Sequence, residues 1–242
     1  MADKNSVLRD KNYLEITYKD SNNKKGDYPD VLAKHLLKNY YKKPGKILDI
    51  GCGNGDFLKA FSRLGFEVVG VDISPDIKQR LGDRFEVMSV DIENASNLFE
   101  GEFDFVFSKS VIEHLREPSS MLKMAKNALK PGGKAIVMCP SWEHTYWGPY
   151  YIDHTHVTAF TRPSLEQALK LCGFSSVTAD YFYQLPFTWK HNFYKVVPKI
   201  ISKLPIPYAP WNRVPWKTNL YANKLVRFSK EVMLISVAVK DD

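Results

Sequence analysis

The sequence predicts an α/β fold in which helices cover both faces of a doubly wound, mostly parallel sheet, and three observations carry that prediction. Residues 47 to 55 read Ile-Leu-Asp-Ile-Gly-Cys-Gly-Asn-Gly, an apolar strand running into a glycine-rich turn that opens a helical pattern. Two further apolar strands end in acids, Asp72 and Asp91. Strand and helix patterns then keep alternating, which implies parallel pairing because each helix carries the chain back to the starting edge of the next strand.

The elements follow in order. A helix is expected over about residues 29 to 41, then strands near 46–50, 67–72, 85–90, 103–108 and 133–139, with helical patterns between them. Residues 140 to 161 read as a loop. Arg162-Pro163-Ser164 suits a helix entry, since proline is tolerated in the first turn, and this helix should end before Gly173. A sixth strand is expected near 175–183 and a last one over 232–239. With 242 residues, 44% hydrophobic and 25% charged, the chain can bury one core and is read as a single domain. Its parts are an N-terminal helical cap (1–44), a cofactor-binding core (45–180), a basic aromatic insertion (181–230) and the last strand (231–242). The polar N-terminus and the absence of any stretch of ~20 apolar residues predict a cytoplasmic protein. Cys52, Cys139 and Cys172 show no paired spacing and are expected to be reduced.

The turn has the chemistry of a cofactor cradle. Glycines at 51, 53 and 55 let backbone N–H groups approach a ligand where a Cβ would obstruct it. The spacing G-x-G-x-G is neither the dinucleotide fingerprint G-x-G-x-x-G nor a triphosphate loop, so the ligand must be read from the neighbouring acids. In a parallel sheet the carboxyl ends of adjacent strands line one crevice. There Asp72 would accept from two ribose hydroxyls, Asp91 from an adenine amino group, and Ile92 would pack on the ring.

These residues, together with Phe103-Asp104-Phe105-Val106-Phe107-Ser108, Val111-Ile112-Glu113-His114-Leu115 and Leu129-Lys130-Pro131-Gly132-Gly133, resemble the class I S-adenosylmethionine-dependent methyltransferases over residues 30 to 180. The resemblance implies a Rossmann-like sheet of seven strands, the last one reversed, and S-adenosylmethionine as cofactor. It further implies that Gly51 and Gly53 approach the methionine and ribose portion, that Asp49 orients the ammonium, that Asp72 holds the ribose hydroxyls, and that the neighbouring Cys52 and Ile73 belong to the same cofactor site. Asp91 and Ile92 would bind adenine, Ser108 would face the amino-acid end, and His114 would line the pocket wall or pack as a core histidine. A sulfonium ligand with an ammonium group agrees with carboxylates, whereas a pyrophosphate would favour bare N–H groups or Arg and Lys. A nicotinamide oxidoreductase, or a binding protein without turnover, are the competing classes.

Transfer to a hydroxyl also needs a proton acceptor near the open ends of strands four and five. The loop from 141 to 156 supplies His154 as the first candidate, with Asp153 and His156 next; all three could equally anchor the loop. Their spacing is not a recognised metal signature, so no metal site is assigned. A similar run of His, Phe160-Thr161, a helix and Gly173-Phe174 in relatives that modify sugars favours an O-methyltransferase of a sugar or glycan, with a lipid, quinone or natural-product acceptor as the alternative. Ser108-Lys109-Ser110-Val111 lacks the Asn/Asp-Pro-Pro-aromatic run of base-amine methylation, and Cys139-Pro140 reverses the order for cytosine C5 chemistry. Nucleic acid is therefore not the expected substrate.

Residues 181 to 230 contain no Asp or Glu but nine Lys and Arg, and removing nine from the chain's +7 leaves −2 elsewhere. Phe193, Val196, Val197, Ile200, Ile201 and Leu204 share a helical face, with Lys195, Lys199 and Lys203 opposite and Pro198 set to kink or restart the helix. The plainest expectation is a helix packing that face on the sheet or on a second copy of the chain. Peripheral contact with an anionic membrane is a second reading, and single-stranded RNA a third.

Overall fold

The computed structural model describes residues 27–241, so residues 1–26 of the expected N-terminal cap lie outside the described residues. Helix α1 (Tyr28–Leu36) runs on through a wider turn to Tyr41. It is followed by β1 (Lys46–Ile50), α2 (Asp56–Arg63), β2 (Glu67–Asp72), α3 (Ile77–Leu81), β3 (Glu86–Ser89) and β4 (Phe103–Lys109). Then come α4 (Pro118–Ala128), β5 (Leu129–Pro140), a short α5 (Trp142–Thr145), α6 (Arg162–Leu171) and β6 (Ser176–Phe182). The insertion carries α7 (Val196–Lys203) and α8 (Tyr221–Lys230), and β7 (Met233–Val239) closes the chain.

The strands form one sheet in the order β3-β2-β1-β4-β5-β7-β6. The first five pair in parallel, and β7 runs antiparallel between β5 and β6. Strands alternate their side chains between two cores. On one face Leu48, Ile50, Val71, Val106 and Val137 meet Met121, Leu122 and Ala125 of α4 and Leu165 and Leu169 of α6. On the other, Ile47, Phe105, Phe107 and Ile136 meet Leu32, Ala33 and Leu36 of α1 and Phe61 of α2. Phe107 is fully buried, and its truncation to alanine should cost about 3–5 kcal/mol. The chain winds outward in opposite directions from β1 and β4, which leaves a crevice at their carboxyl ends. The glycine turn and Ser108 sit there.

The stretch expected as a loop at 140–161 contains α5 and a 3-10 turn, Pro149–Ile152, and its end is set by a capping box between Thr161 and Ser164 at the start of α6. In the insertion, Trp189 anchors the first turn by donating to the carbonyl of Tyr183 at 2.8 Å and stacking on His35 of α1. Buried Asn223 of α8 orders the following loop. Its amide oxygen accepts from the backbone N–H of Ala209 and the indole of Trp216, and its nitrogen donates to the carbonyls of Ala209 and Thr218.

The expectation for α7 needs correction. A 3-10 turn, Asn192–Lys195, becomes α-helix at Val196, so Pro198 falls in the first turn, where no intrahelical donor is lost. Pro198 is the buried residue of α7, while Val196, Val197, Ile200 and Leu204 are exposed. The helix is rotated so that its apolar face turns away from the sheet. No helix of the described residues is long and apolar enough to cross a membrane.

Candidate active site

The cradle forms because the backbone after β1 folds back on β2. The N–H groups of Gly51 and Cys52 both donate to the carbonyl of Val71, at 2.8 and 3.1 Å. Gly51 and Gly53 have φ of +78° and +50°, a region that suits glycine, yet they serve different ends. A Cβ on Gly51 would stand 2.2 Å from Cγ2 of Val111, whereas one on Gly53 would meet nothing within 4 Å. Gly53 therefore presents bare backbone to open space, and Gly51 lets the turn pack on Val111. The Cys52 side chain points into a small core with Leu58, Ile77 and Leu81.

Asp72 shapes this turn as well as facing it. Its carboxylate accepts from the N–H of Gly53 at 2.8 Å and of Ser74 at 3.0 Å, with lone pairs left for ligand hydroxyls. Ile73 beside it is half-buried. Arg80 of α3, which no sequence motif marks, braces the arrangement by donating to the Asn54 side-chain oxygen at 2.9 Å, to Ser74 Oγ at 3.2 Å and to Asp76 at 3.0 Å. Asp91 accepts from the N–H of Glu93 and from Asn94, capping the turn Ile92–Asn94, while Ile92 is buried in the core. Ser108 Oγ donates to the carbonyl of Ile50 at 3.0 Å and so clamps β4 to β1 at the crevice.

Asp49 is the residue that asks for a ligand. It is 2% exposed, and its Oδ2 has no hydrogen-bond partner. Burial, reinforced by the charge of Asp72, raises its pKa to about 8. An orphaned carboxyl beside a second acid is the setting that a cationic ammonium would relieve, and with the open Gly53 it makes the cradle fit the aminoacyl end of S-adenosylmethionine.

A second polar cluster packs on the cradle through Val111. The 3-10 turn Ile112–His114 follows β4, and the Glu113 carbonyl accepts from the N–H groups of Val157 and Thr158, which ties the acceptor-side loop to it. Thr155 Oγ1 donates to Asp153 at 2.6 Å and lies 2.8 Å from His114 Nδ1. With its proton directed to Asp153, Thr155 accepts from Nδ1–H, which leaves His114 Nε2 as an acceptor. His156 Nδ1 lies 2.6 Å from the carbonyl of Tyr150; a carbonyl only accepts, so His156 Nε2 is also free to accept. The two rings are 4.8 Å apart. Burial, then the neighbouring His156, lowers the His114 pKa to about 4, and burial lowers that of His156. Both imidazoles are neutral near pH 7.

Glu113 was legible only as part of a motif, yet it is central here. It is 1% exposed and neither carboxyl oxygen has a hydrogen-bond partner; burial raises its pKa to about 8, with Lys109 opposing the shift. One ligand atom from each of Glu113, His114 and His156 lies within 4.8 Å of the others, a donor set with room for a cation where the sequence assigned none. His154, the first candidate base, is exposed and shares no hydrogen bond or ring contact with this cluster, whereas Asp153 and His156 belong to it.

Comparison with known proteins agrees with this geometry. A family model described as a methyltransferase domain matches residues 23–179. A ubiquinone biosynthesis O-methyltransferase of Nitrosococcus oceani is 32% identical over 113 residues, covering 43% of this chain and 48% of that protein. One from Xanthomonas campestris is 33% identical over 98 residues, covering 37% and 41%. The chain thus spans about half the length, or less, of these curated relatives. Two solved structures share the fold. A SAM dependent methyltransferase from Archaeoglobus fulgidus has a TM-score of 0.62 at 19% identity, covering 94% of this chain and all of that one. The Burkholderia thailandensis 1,6-didemethyltoxoflavin-N1-methyltransferase, solved with S-adenosylhomocysteine, has a TM-score of 0.59 at 18% identity, covering 98% and 88%. The chain belongs to the methyltransferase domain family, as a class I member whose cofactor is S-adenosylmethionine.

Proposed function

We propose that this protein methylates a hydroxyl oxygen on a quinone-type or related aromatic acceptor. The sugar or glycan acceptor favoured by the sequence finds no support among the relatives, whose names point to the quinone alternative. The observation that carries the reading is the pair of neutral imidazoles, each with Nδ1 committed and Nε2 free, on segments packed against the cradle. When bound, S-adenosylmethionine supplies an electrophilic methyl group on a sulfonium. Gly53, Asp72 and Asp49 would hold its aminoacyl and ribose parts, and Asp91 its base.

The chain's own work is then positioning and proton removal. His114 or His156 accepts the hydroxyl proton at Nε2 as the oxygen becomes the nucleophile, and Asp153, through Thr155, keeps the His114 ring in the required tautomer. Exposed Tyr151 packs edge-on against Trp142 and the buried Tyr150, with ring centroids 6.2 and 5.2 Å away, and offers a ring suited to a planar acceptor.

The test is isotope transfer from methyl-labelled S-adenosylmethionine, using the purified full chain with catechol-type quinol precursors and, separately, with hexoses. Label on the phenolic oxygen is expected. Label on sugars alone would restore the glycan reading, and no label on any acceptor would favour a binding protein.

A further inference from the structure

We propose that the insertion docks the enzyme on the anionic surface of a lipid bilayer, with α7 lying in the interface. This docking does not depend on which acceptor is methylated. The rotation of α7 creates the surface. At 100° per residue, Val196, Val197 and Ile200 fall within a 100° arc, Leu204 follows as the extended C-cap, and Pro198, the buried contact with the protein, lies on the far side of the helix. These residues are 45%, 43%, 57% and 43% exposed, and Phe193 in the preceding turn is 71% exposed. An ordinary surface helix hides its apolar arc. This helix leaves that arc exposed and buries Pro198 instead.

The charges beside the arc identify what covers it. Lys199 and Lys203 are exposed along one flank of the apolar arc, where long stems can lie on apolar surface while the ammonium groups reach a phosphate layer. Lys190, Arg213, Lys217 and Lys224 are exposed elsewhere in the insertion, and between Tyr181 and Lys230 there is no acid to balance them. A second copy of the chain would bring the same uncompensated charge to its partner. An anionic bilayer offers both an apolar layer for the arc and negative charge for the lysines.

The insertion is also joined to the acceptor side of the site. Trp211 packs against Trp147 with centroids 5.4 Å apart, and lies so close to Gly148 that a Cβ there would stand 2.1 Å from its ring. Gly148 belongs to the loop that carries Asp153, Thr155 and His156. A surface held at the insertion is therefore coupled by direct packing to the loop that receives the acceptor.

The experiment is co-sedimentation of the full chain with vesicles of phosphatidylcholine alone or with 30–40% phosphatidylglycerol (roughly physiological charge), at low and high salt. Binding to the anionic vesicles, lost at high salt and absent on phosphatidylcholine, is expected. Two exposed-surface variants, Phe193→Ser with Ile200→Ser and Lys199→Glu with Lys203→Glu, should each weaken it at least about tenfold. Both should keep wild-type affinity for S-adenosylhomocysteine, which shows that they fold. No sedimentation of the full chain, as expected if residues 1–26 or a second copy cover the helix, would overturn the proposal. So would unchanged binding in both variants, or binding to RNA with none to vesicles.

Discussion

The missing side chain of Gly51 and the side chain of Val111 occupy the same space: a Cβ on the glycine would stand 2.2 Å from Val111 Cγ2. That contact joins the cofactor cradle to the turn bearing Glu113 and His114. Gly51→Ala should therefore destabilise the fold by about 2–4 kcal/mol, through both the clash and the positive φ. Thermal unfolding without ligand measures this, and an unchanged midpoint would break the link between the cradle and the turn Ile112–His114.

Gly53→Ala should behave differently. Its Cβ would enter open space, so the loss of stability should stay near the roughly 1–2 kcal/mol of a left-handed residue. Binding of S-adenosylhomocysteine should nonetheless fall at least about tenfold, because the methyl group would occupy ligand space. Equal affinity in the variant would place the cofactor elsewhere.

The proton acceptor can be separated from the loop anchor. His114→Ala and His156→Ala should each lower turnover, and the variant that removes the acting base should lose about 100-fold or more with cofactor affinity retained. His154→Ala should change turnover by less than about threefold, since His154 is exposed and outside the cluster. Turnover and cofactor affinity measured side by side decide it. A large loss confined to His154→Ala would reverse the assignment.

The titratable groups predict how stability follows pH. His114 titrates at about 4 in the fold, below the 6.5 of a free imidazole, so between those values the unfolded chain holds more protons and stability falls as pH drops. Glu113 runs the other way. Its folded pKa of about 8 lies above the 4.5 of a free glutamate side chain, so its contribution is present below about pH 4.5 and is lost as pH rises through 8. Glu113→Gln should thus raise the melting temperature of the ligand-free protein at pH 8.5 by at least about 3 °C and have little effect at pH 5. A rise that is equal at both pH values would show that Glu113 is not a buried, unpaired carboxyl.

Much of this was legible in the sequence because the parallel core is written in local signals. Apolar strands, the glycines at 51 and 53 and the acid at 72 fall in register with no knowledge of distant contacts, and the sheet follows from them. The histidine cluster was less legible. Asp153, His154 and His156 are indistinguishable in a histidine-rich loop, and the separation of His156 from His154 depends on the ring contact with His114, 42 positions earlier. Arg80 escaped notice for a similar reason, since its partners Asn54 and Ser74 become neighbours only when α3 closes over the turn. The periodicity of α7 was visible, but periodicity does not say which face meets the protein. Pro198 decided that.

Calorimetric titration of the wild-type chain and of Asp49→Asn with S-adenosylhomocysteine asks whether the buried Asp49 carboxyl, whose Oδ2 has no hydrogen-bond partner, is held for the ligand's ammonium. One site per chain is expected in the wild type, with affinity at least about tenfold weaker in the variant, whose ligand-free form is no less stable. Equal affinities would contradict it.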